Sequence, residues 1–166
     1  FVTTSTFTAT GSLTVNGNIS ATTMSITGST TRTVNLGSGT ITLSGSSGTI
    51  WNAATTTVLT FSGSSSTISL SGSTVTFAGG SLTYGSLTYT GSGPTFTLTG
   101  TNTFSGNVAL NHSAFTTYTI PAGVTTIVGG TLSTSSSNPY SQISSSTAGT
   151  QATISAAAVT LNNIFF

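Results

Sequence analysis

The sequence contains no aspartate, no glutamate and no cysteine, and it has only one arginine and one histidine among 166 residues. Without carboxylates, the chain cannot supply the acid–base pair of a glycosidase or the acidic ligands that hold calcium and magnesium. Without thiols, it can form neither disulfides nor thiolate zinc sites. One guanidinium cannot neutralise a row of phosphates, so we expect no nucleic-acid binding. These absences predict a protein that is not an enzyme and that uses no cofactor and no metal.

Long apolar runs are also lacking, and none approaches the ~18 residues of a membrane-spanning helix. The chain begins with Phe1, and no basic segment followed by an apolar one opens it. We therefore expect no membrane span, and a chain that has been processed or is part of something longer.

The chain is instead rich in hydroxyl groups, with 41 Thr, 30 Ser, 20 Gly and 10 Asn. Thr, Ser and Gly are poor helix formers, which argues against helices. The hydrophobic fraction of 35% is nevertheless sufficient for a core. Hydroxyl side chains therefore take the place of the charged surface of an ordinary domain.

Apolar residues alternate with Thr or Ser in short runs that end at Gly, Asn or Ser, which is typical of β-strands. Each run places two apolar side chains on one strand face. The pairs are Leu13/Val15, Met24/Ile26, Val34/Leu36, Ile41/Leu43, Leu59/Phe61, Ile68/Leu70, Val75/Phe77, Leu82/Tyr84, Leu87/Tyr89, Phe96/Leu98 and Val108/Leu110. Their recurrence predicts a degenerate repeat of short strands and short turns.

Two all-β architectures fit this pattern: a parallel β-solenoid with short, degenerate rungs, and an antiparallel β-sandwich of the pilin type. Hairpins favour Asn-Gly turns, and Asn16-Gly17 is the only such pair in the chain. Small residues at the breaks, with Thr and Ser outward, favour the solenoid. At ~20 residues per rung and ~4.8 Å per coil, we expect about eight coils and a rod of roughly 40 Å.

The second part of the chain has longer rungs, so we place a soft boundary near 111–118 within a single segment, 1–166. Turns are expected at 121–123 and 137–139, because proline cannot donate inside a ladder. The inward residues predicted here are Ile120, Val124, Ile127, Leu132, Ile143, Ile154, Val159, Leu161 and Ile164.

Several segments resemble repeats of known β-helical proteins. They are GSLTVNG at 11–17, GTITLSG at 39–45, FTLTGTNTFSGN at 96–107, IPAG at 120–123, VTTIVGGTL at 124–132, STAGTQATISA at 146–156 and AVTLNNIFF at 158–166. The chain resembles β-helical segments of large phage structural proteins (tail-fibre or virion-surface) and of filamentous adhesins and autotransporter passengers. The resemblance implies a right-handed parallel β-helix, an extended surface role without catalysis, and an extracellular or virion-surface location.

Three aromatic residues are candidates for glycan contact, since a sugar ring stacks on an exposed aromatic face. They are Trp51, Tyr118 and Tyr140. Trp51 directly follows Ile50, whose side chain we place inside, so the alternation of a strand predicts an outward indole. Tyr84 and Tyr89, by contrast, share a face with leucines and are expected in the core.

Four polar residues need an interpretation of their own. Asn18 and Asn111 each begin an Asn-X-Ser acceptor pattern for N-glycosylation. His112 has no second ligand and no orienting carboxylate, so we expect a structural role for it. For Arg32 we expect a solvated side chain between strands.

Runs of Thr-X-Thr raise the alternative of an ice-binding solenoid, in which threonine pairs form a flat lattice. The runs are Thr8/Thr10, Thr31/Thr33, Thr40/Thr42, Thr74/Thr76, Thr88/Thr90, Thr95/Thr97/Thr99 and Thr101/Thr103. Their starts are separated by 23, 9, 34, 14, 7 and 6 residues, and this irregularity argues against one pair per coil.

The leading hypothesis is therefore a structural segment of an extracellular filament, a phage fibre or a virion surface, forming a stiff, neutral, hydroxyl-coated rod. Its expected partners are further copies of itself (in a stacked filament or a homotrimer) or neighbouring structural proteins, because solenoid ends expose unpaired strands. The alternatives are a carbohydrate-binding adhesin module that contacts host-surface glycans, a pilin-type subunit with residues 1–10 as the donated strand, and an ice-binding solenoid.

Overall fold

The computed structural model describes residues 3–8, 11–136 and 140–166, and within them it contains 17 β-strands and no helix. The strands are β1 (Thr3–Thr8), β2 (Ser12–Thr14), β3 (Ile19–Ser25), β4 (Arg32–Asn35), β5 (Thr40–Leu43), β6 (Ser47–Asn52), β7 (Leu59–Leu70), β8 (Thr74–Ala78), β9 (Thr83–Tyr89), β10 (Thr95–Thr99), β11 (Thr103–Phe104), β12 (Val108–His112), β13 (Thr117–Ile120), β14 (Thr125–Ser136), β15 (Ser141–Ser145), β16 (Thr153–Thr160) and β17 (Ile164–Phe165).

The strands stack as a parallel β-solenoid of about six turns, which confirms the predicted fold class. The one antiparallel contact found in the described residues is an isolated bridge between Ala122 and Ala152, outside the strands. The alternative of an antiparallel sandwich is therefore wrong. Of the segment 1–10 offered as a donated strand, residues 1, 2, 9 and 10 lie outside the described residues, and β1 pairs in parallel with β3. The right-handed sense of the coil stays a prediction.

Three ladders of parallel strands run along the solenoid. The first ladder contains β2, β4, β11 and the beginnings of β7, β9, β14 and β16. The second contains β3, β5, β12 and the ends of β7, β9, β14 and β16. The third contains the end of β3 followed by β6, β8, β10, β13, β15 and β17. Each coil thus contributes a strand to each ladder, and the three ladders enclose the core.

Inward side chains stack in columns from coil to coil. On the second ladder one column runs through Ile19, Ile41, Ile68, Leu87, Val108, Leu132 and Val159. All eleven apolar pairs predicted from the sequence have both members buried or half-buried, so their inward direction is confirmed. Period-two alternation is therefore enough to locate this core.

The coils are longer and less uniform than predicted. Stacked positions on the second ladder are Ser20, Thr42, Ser69, Thr88, Ala109 and Ser133, which gives coils of 22, 27, 19, 21 and 24 residues. The chain therefore makes about six turns rather than eight. At ~4.8 Å per coil the stack is roughly 30 Å long.

Glycines allow tight corners between the second and third ladders. Gly45, Gly72 and Gly91 follow one another on successive coils at this corner. A Cβ atom on Gly72 would lie 1.9 Å from the carbonyl oxygen of Gly45, and one on Gly91 would lie 2.2 Å from that of Gly72. Any larger residue would force the coils apart, so the glycines are required by the close approach of backbones.

Some predictions for the second part of the chain are wrong. Ile127 is 44% exposed, because β14 turns Thr126 and Val128 inward instead. Val159 is exposed although it lies in an inward column, because no further coil covers it. The turn predicted at 137–139 lies outside the described residues. The soft boundary near 111–118 stays a prediction, and strands on either side of it pair within the same ladders.

Candidate functional site

The prediction that Trp51 faces outward is wrong, because its indole is fully buried, with no exposed surface. The pairing of β6 with β8 shifts register between Thr49 and Trp51, as in a β-bulge. The extra residue at this position lets both Ile50 and Trp51 point inward, which breaks the alternation on which the prediction rested. Trp51 is therefore not available for stacking on a surface glycan.

Trp51 belongs to a cluster of buried aromatic rings in the middle of the solenoid. Its ring is stacked on Phe77, with centroids 5.7 Å apart, and meets Tyr84 edge-on at 5.6 Å. Its Nε1 donates to the Tyr84 hydroxyl at 3.1 Å, and that hydroxyl donates to the Gly79 carbonyl. Burial raises the pKa of Tyr84 above its usual value, so the phenol stays protonated and keeps donating. The cluster stabilises the fold and offers no binding surface.

Tyr118 is likewise fully buried, and it contacts the only histidine. Its hydroxyl lies 2.6 Å from Nδ1 of His112 and donates to the carbonyl oxygen of Leu110 at 3.1 Å. The phenol and the imidazole therefore share one hydrogen bond, while Nε2 of His112 is buried without a hydrogen-bond partner. Burial lowers the pKa of His112, which keeps the ring neutral. Tyr118 is thus also removed from the candidates for glycan contact.

Arg32 is buried rather than solvated, contrary to prediction. Its Nε donates to the carbonyl of Ile26 at 2.7 Å, and Nη1 donates to Gly28 at 2.6 Å and to Thr30 at 3.1 Å. Nη2 donates to the carbonyl of Thr55 at 2.6 Å on the next coil. The guanidinium fork thus joins two loops through their backbone carbonyls. Because this is the only charged side chain at neutral pH, the protein surface is uncharged apart from any chain ends.

The two candidate glycosylation residues lie on the surface side of the ladders. Asn18 is exposed, and its Oδ1 accepts the backbone N–H of Thr40 at 2.9 Å. Asn111 is half-buried, and its Oδ1 accepts the hydroxyl of Ser135 at 2.8 Å. In both residues the hydrogen bond uses the oxygen, so glycosylation on Nδ2 stays a prediction.

Tyr140 is the only one of the three predicted glycan contacts that lies at the surface, where 53% of it is exposed. Its ring packs against that of Phe165, with centroids 5.1 Å apart. Phe115 is also exposed and precedes β13, just as Tyr140 precedes β15 on the following coil. Phe115 and Phe165 were not predicted from the sequence. The register of β13 with β15 brings Phe115 level with Tyr140, and the pairing of β15 with β17 brings Phe165 beside it.

A regular hydroxyl surface covers the outward side of the third ladder, and we call it the threonine face. It consists of two columns, Ser47–Thr74–Thr95–Thr117 and Thr49–Thr76–Thr97–Thr119, that span four successive coils. The argument from irregular sequence spacing is therefore wrong on this ladder, because coils of different length still bring their Thr-X-Thr runs into register. Of the predicted pairs, Thr74/Thr76 and Thr95/Thr97 lie here, and the sequence analysis missed Thr117/Thr119.

The last coil, β16 and β17, leaves one edge and much of its apolar surface uncovered, and we call this the open end. Within the described residues β16 pairs only with β14, and β17 only with β15. Val159 is 58% exposed and Phe166 is 84% exposed. A cleft of about 340 Å³ opens here between Ile120, Ile143, Ile154 and Leu161, among others. The open end thus combines unpaired backbone groups with exposed apolar side chains.

Comparison of the chain with protein-family models, with curated proteins and with solved structures gives no match. In the described part of the chain, no three potential metal ligands lie together, and no helix is long and apolar enough to cross a membrane. The function therefore has to be inferred from the three surfaces just described: the open end, the exposed aromatic residues and the threonine face.

Proposed function

We propose that the chain is a non-enzymatic structural segment of an extracellular filament, a phage fibre or a virion surface. In this role it forms a stiff, neutral, hydroxyl-coated rod that stacks end to end. The open end is the observation that carries the proposal. The backbone N–H and C=O groups along the edge of a parallel ladder find protein partners only when a further strand pairs with that edge. An uncovered edge is therefore a template for such pairing.

The composition of that edge supports the proposal. Soluble proteins usually protect an exposed edge strand with lysine, proline or a bulge. β16 has the sequence TISAAAVT, which contains no charged residue and no proline. Arg32, the only charged side chain, is buried, so electrostatic repulsion between two such ends is small. The uncharged edge therefore favours association with another coil.

The absence of reactive groups on the surface is consistent with a structural role. His112 is buried against Tyr118, and Arg32 is held by carbonyls, so neither side chain is free to transfer a proton or bind an anion. The accessible chemistry consists of hydroxyl, amide and aromatic groups. Such a surface makes weak neutral contacts, which suits a rod presented outside a cell or on a virion.

Sedimentation velocity of the chain over a range of concentrations tests this proposal. We expect association that increases with concentration and that is abolished in the variant Val159→Lys, because a lysine in the uncovered column must be desolvated on stacking. The matched control is Thr88→Lys, which adds the same charge on the outward side of the second ladder, in the middle of the rod. A chain that stays monomeric at high concentration, or equal effects of the two variants, would contradict the proposal.

A second candidate function, a carbohydrate-binding module, is favoured by one observation, the exposed pair of Tyr140 and Phe165. Aromatic faces on a neutral surface suit neutral sugars, since nothing there would attract a charged one. Binding to a glycan array that is lost in Tyr140→Ala and kept in Tyr84→Phe, which leaves the surface unchanged, would support this function. An array without signal would remove it.

A further inference from the structure

The threonine face differs from the other outward surfaces of the solenoid in its regularity. Seven of its eight side chains are threonine, and the eighth is Ser47. The equivalent column on the second ladder mixes three residue types: Ser20, Thr42, Ser69, Thr88, Ala109 and Ser133. The threonine face therefore repeats a methyl group and a hydroxyl group at every position of a two-column lattice over three successive coils, and this column of the second ladder does not.

The dimensions of that lattice follow from the strand geometry. Adjacent coils are separated by ~4.8 Å, and residues two apart along a strand by roughly 6.6 Å. The pairing of β8 with β10 and of β10 with β13 contains no register shift. Thr76, Thr97 and Thr119 therefore follow one another without a break, and so do the members of the other column. The result is a periodic plane rather than a set of scattered hydroxyls.

The side chains of this plane are held in place from beneath. Between the outward threonines, Val75, Phe96 and Tyr118 point inward, and all three are buried. Threonine is itself restricted in χ1, because two heavy atoms on Cβ crowd the backbone. A ligand that matches the plane therefore has little conformational entropy to remove on binding.

The hydroxyl groups of the plane are available to solvent. All eight side chains are exposed or half-buried. Within the described residues, no hydrogen bond joins one of these hydroxyls to another protein group. By contrast, hydroxyls near the corners of the second ladder bond to backbone carbonyls, as those of Ser44 and Thr90 do. The hydrogen bonds of the threonine face are therefore made with water, at positions fixed by the lattice.

We propose that the threonine face binds ice, by holding a layer of ordered water that continues into the crystal. In this proposal the rows of methyl groups order water without bonding to it, and the rows of hydroxyls anchor it at the regular spacings of the strand ladder, ~4.8 Å and roughly 6.6 Å. Each contact is weak, but a rigid array makes all of them at once. The proposal is independent of the stacking proposed above, because the threonine face lies on the side of the rod and the open end lies at its tip.

Ordered water fits this face better than a carbohydrate does. Sugar recognition uses aromatic faces and directional donors and acceptors of several kinds. The threonine face contains no aromatic ring and no charge. The exposed aromatic residues, Phe115, Tyr140 and Phe165, lie at or beyond its edge in the last coils. Binding of an insoluble polysaccharide by the face is therefore an outcome that the experiment must distinguish.

Partitioning of the protein into slowly growing ice tests the proposal, with thermal hysteresis as a second readout. We expect the unaltered chain to be enriched in the ice fraction. Thr97→Lys, in the centre of the face, should lower that enrichment about tenfold, because the ammonium group must be desolvated against the crystal. The matched control, Thr88→Lys on the second ladder, should behave like the parent. Thermal melts of both variants establish that each is folded.

Three results would overturn the proposal. The unaltered chain could be excluded from ice to the same extent as Thr97→Lys. Thr88→Lys could lose as much enrichment as Thr97→Lys, which would show that the threonine face has no special part. The parent could bind an insoluble polysaccharide through Thr97 while being excluded from ice. None of these results changes the expected effect of Val159→Lys on sedimentation, so the two proposals fail separately.

Discussion

The middle of the solenoid and its open end are built from the same column of apolar side chains, but only one of them is covered. Leu87 has a coil on either side and no exposed surface, whereas Val159 occupies the equivalent position on the last coil and is 58% exposed. The identity of the side chain therefore does not decide its burial. A solenoid coil is complete only when another coil lies against each of its edges.

The two regions also differ in how polar groups are satisfied. In the middle, Trp51 donates to Tyr84, and the Arg32 guanidinium donates to carbonyls of two loops. At the open end the backbone of β16 has an unpaired edge, and no charged residue protects it. The middle is thus a closed core, and the end exposes unpaired backbone groups and apolar side chains.

The largest difference between the regions is expected on removal of a large aromatic ring. Trp51→Ala should lower the free energy of unfolding by about 3–5 kcal/mol, because it leaves a cavity among packed rings and orphans a hydrogen bond of Tyr84. Tyr140→Ala at the exposed edge should change it by less than about 1 kcal/mol. Chemical denaturation of dilute protein measures both. Equal losses would mean that the middle is not the better packed region.

Leu87 and Val159, which lie in the same inward column of the second ladder, give a sharper comparison of the middle with the open end. Leu87→Ala should cost about 3 kcal/mol, since the methyl groups removed have neighbours on both sides. Val159→Ala should cost less than about 1 kcal/mol in the monomer, because most of that side chain already contacts water. If Val159→Ala is as costly as Leu87→Ala under dilute conditions, the last coil is covered in solution and the open end does not exist.

Substitution of the buried Arg32 should have a smaller effect on stability, and comparison of two substitutions there separates the role of the charge from that of the planar guanidinium. Arg32→Met should destabilise the chain by about 2 kcal/mol, because carbonyls of the loops at 26–30 and 55 lose their donors while no buried counter-charge is left behind. Arg32→Lys keeps the charge without the planar fork, and it should not restore full stability. The measurement is the midpoint of thermal unfolding. Full stability of the lysine variant would show that charge alone, and not the fork, joins the loops.

The smallest expected effect is a dependence of stability on pH that comes from one side chain. The pKa of His112 is lower in the folded chain than its usual 6.5, so the unfolded chain binds more protons as the pH falls below about 6.5. Stability should therefore be full above that pH and decrease below it. With no Asp or Glu side chain in the sequence, no side-chain carboxylate adds to the curve. In His112→Gln the decrease should disappear. A decrease of equal size in that variant would exclude His112 as its source.

Sequence reasoning was sufficient for the fold class and for most of the core, because period-two alternation is a local property. Tyr84 and Tyr89 were placed correctly in the core, as were both members of pairs such as Ile41 and Leu43. The position of Trp51 was not predictable in this way, since a single bulged residue reverses the direction of every side chain that follows it within the strand. No residue pattern around Ile50 predicts that bulge.

The candidate surfaces depended on long-range register, which one sequence does not contain. Thr74, Thr95 and Thr117 are 21 and 22 residues apart, yet the neighbouring coils have other lengths, and only the pairing shows that they are stacked. The burial of Arg32 was missed for a similar reason, because one of its acceptors is the carbonyl of Thr55 on the next coil. Composition predicted a neutral surface, but it could not say which part of that surface is regular.

Hydrogen exchange of backbone amides, measured coil by coil at low and at high protein concentration, tests the central claim most directly. In the dilute chain we expect strong protection of β9 and β12 and rapid exchange of the amides along the unpaired edge of β16. At high concentration β16 should become protected, and Val159→Lys should prevent the change. Rapid exchange of β16 at every concentration, in a chain that remains monomeric, would contradict the proposal that the open end stacks on another coil.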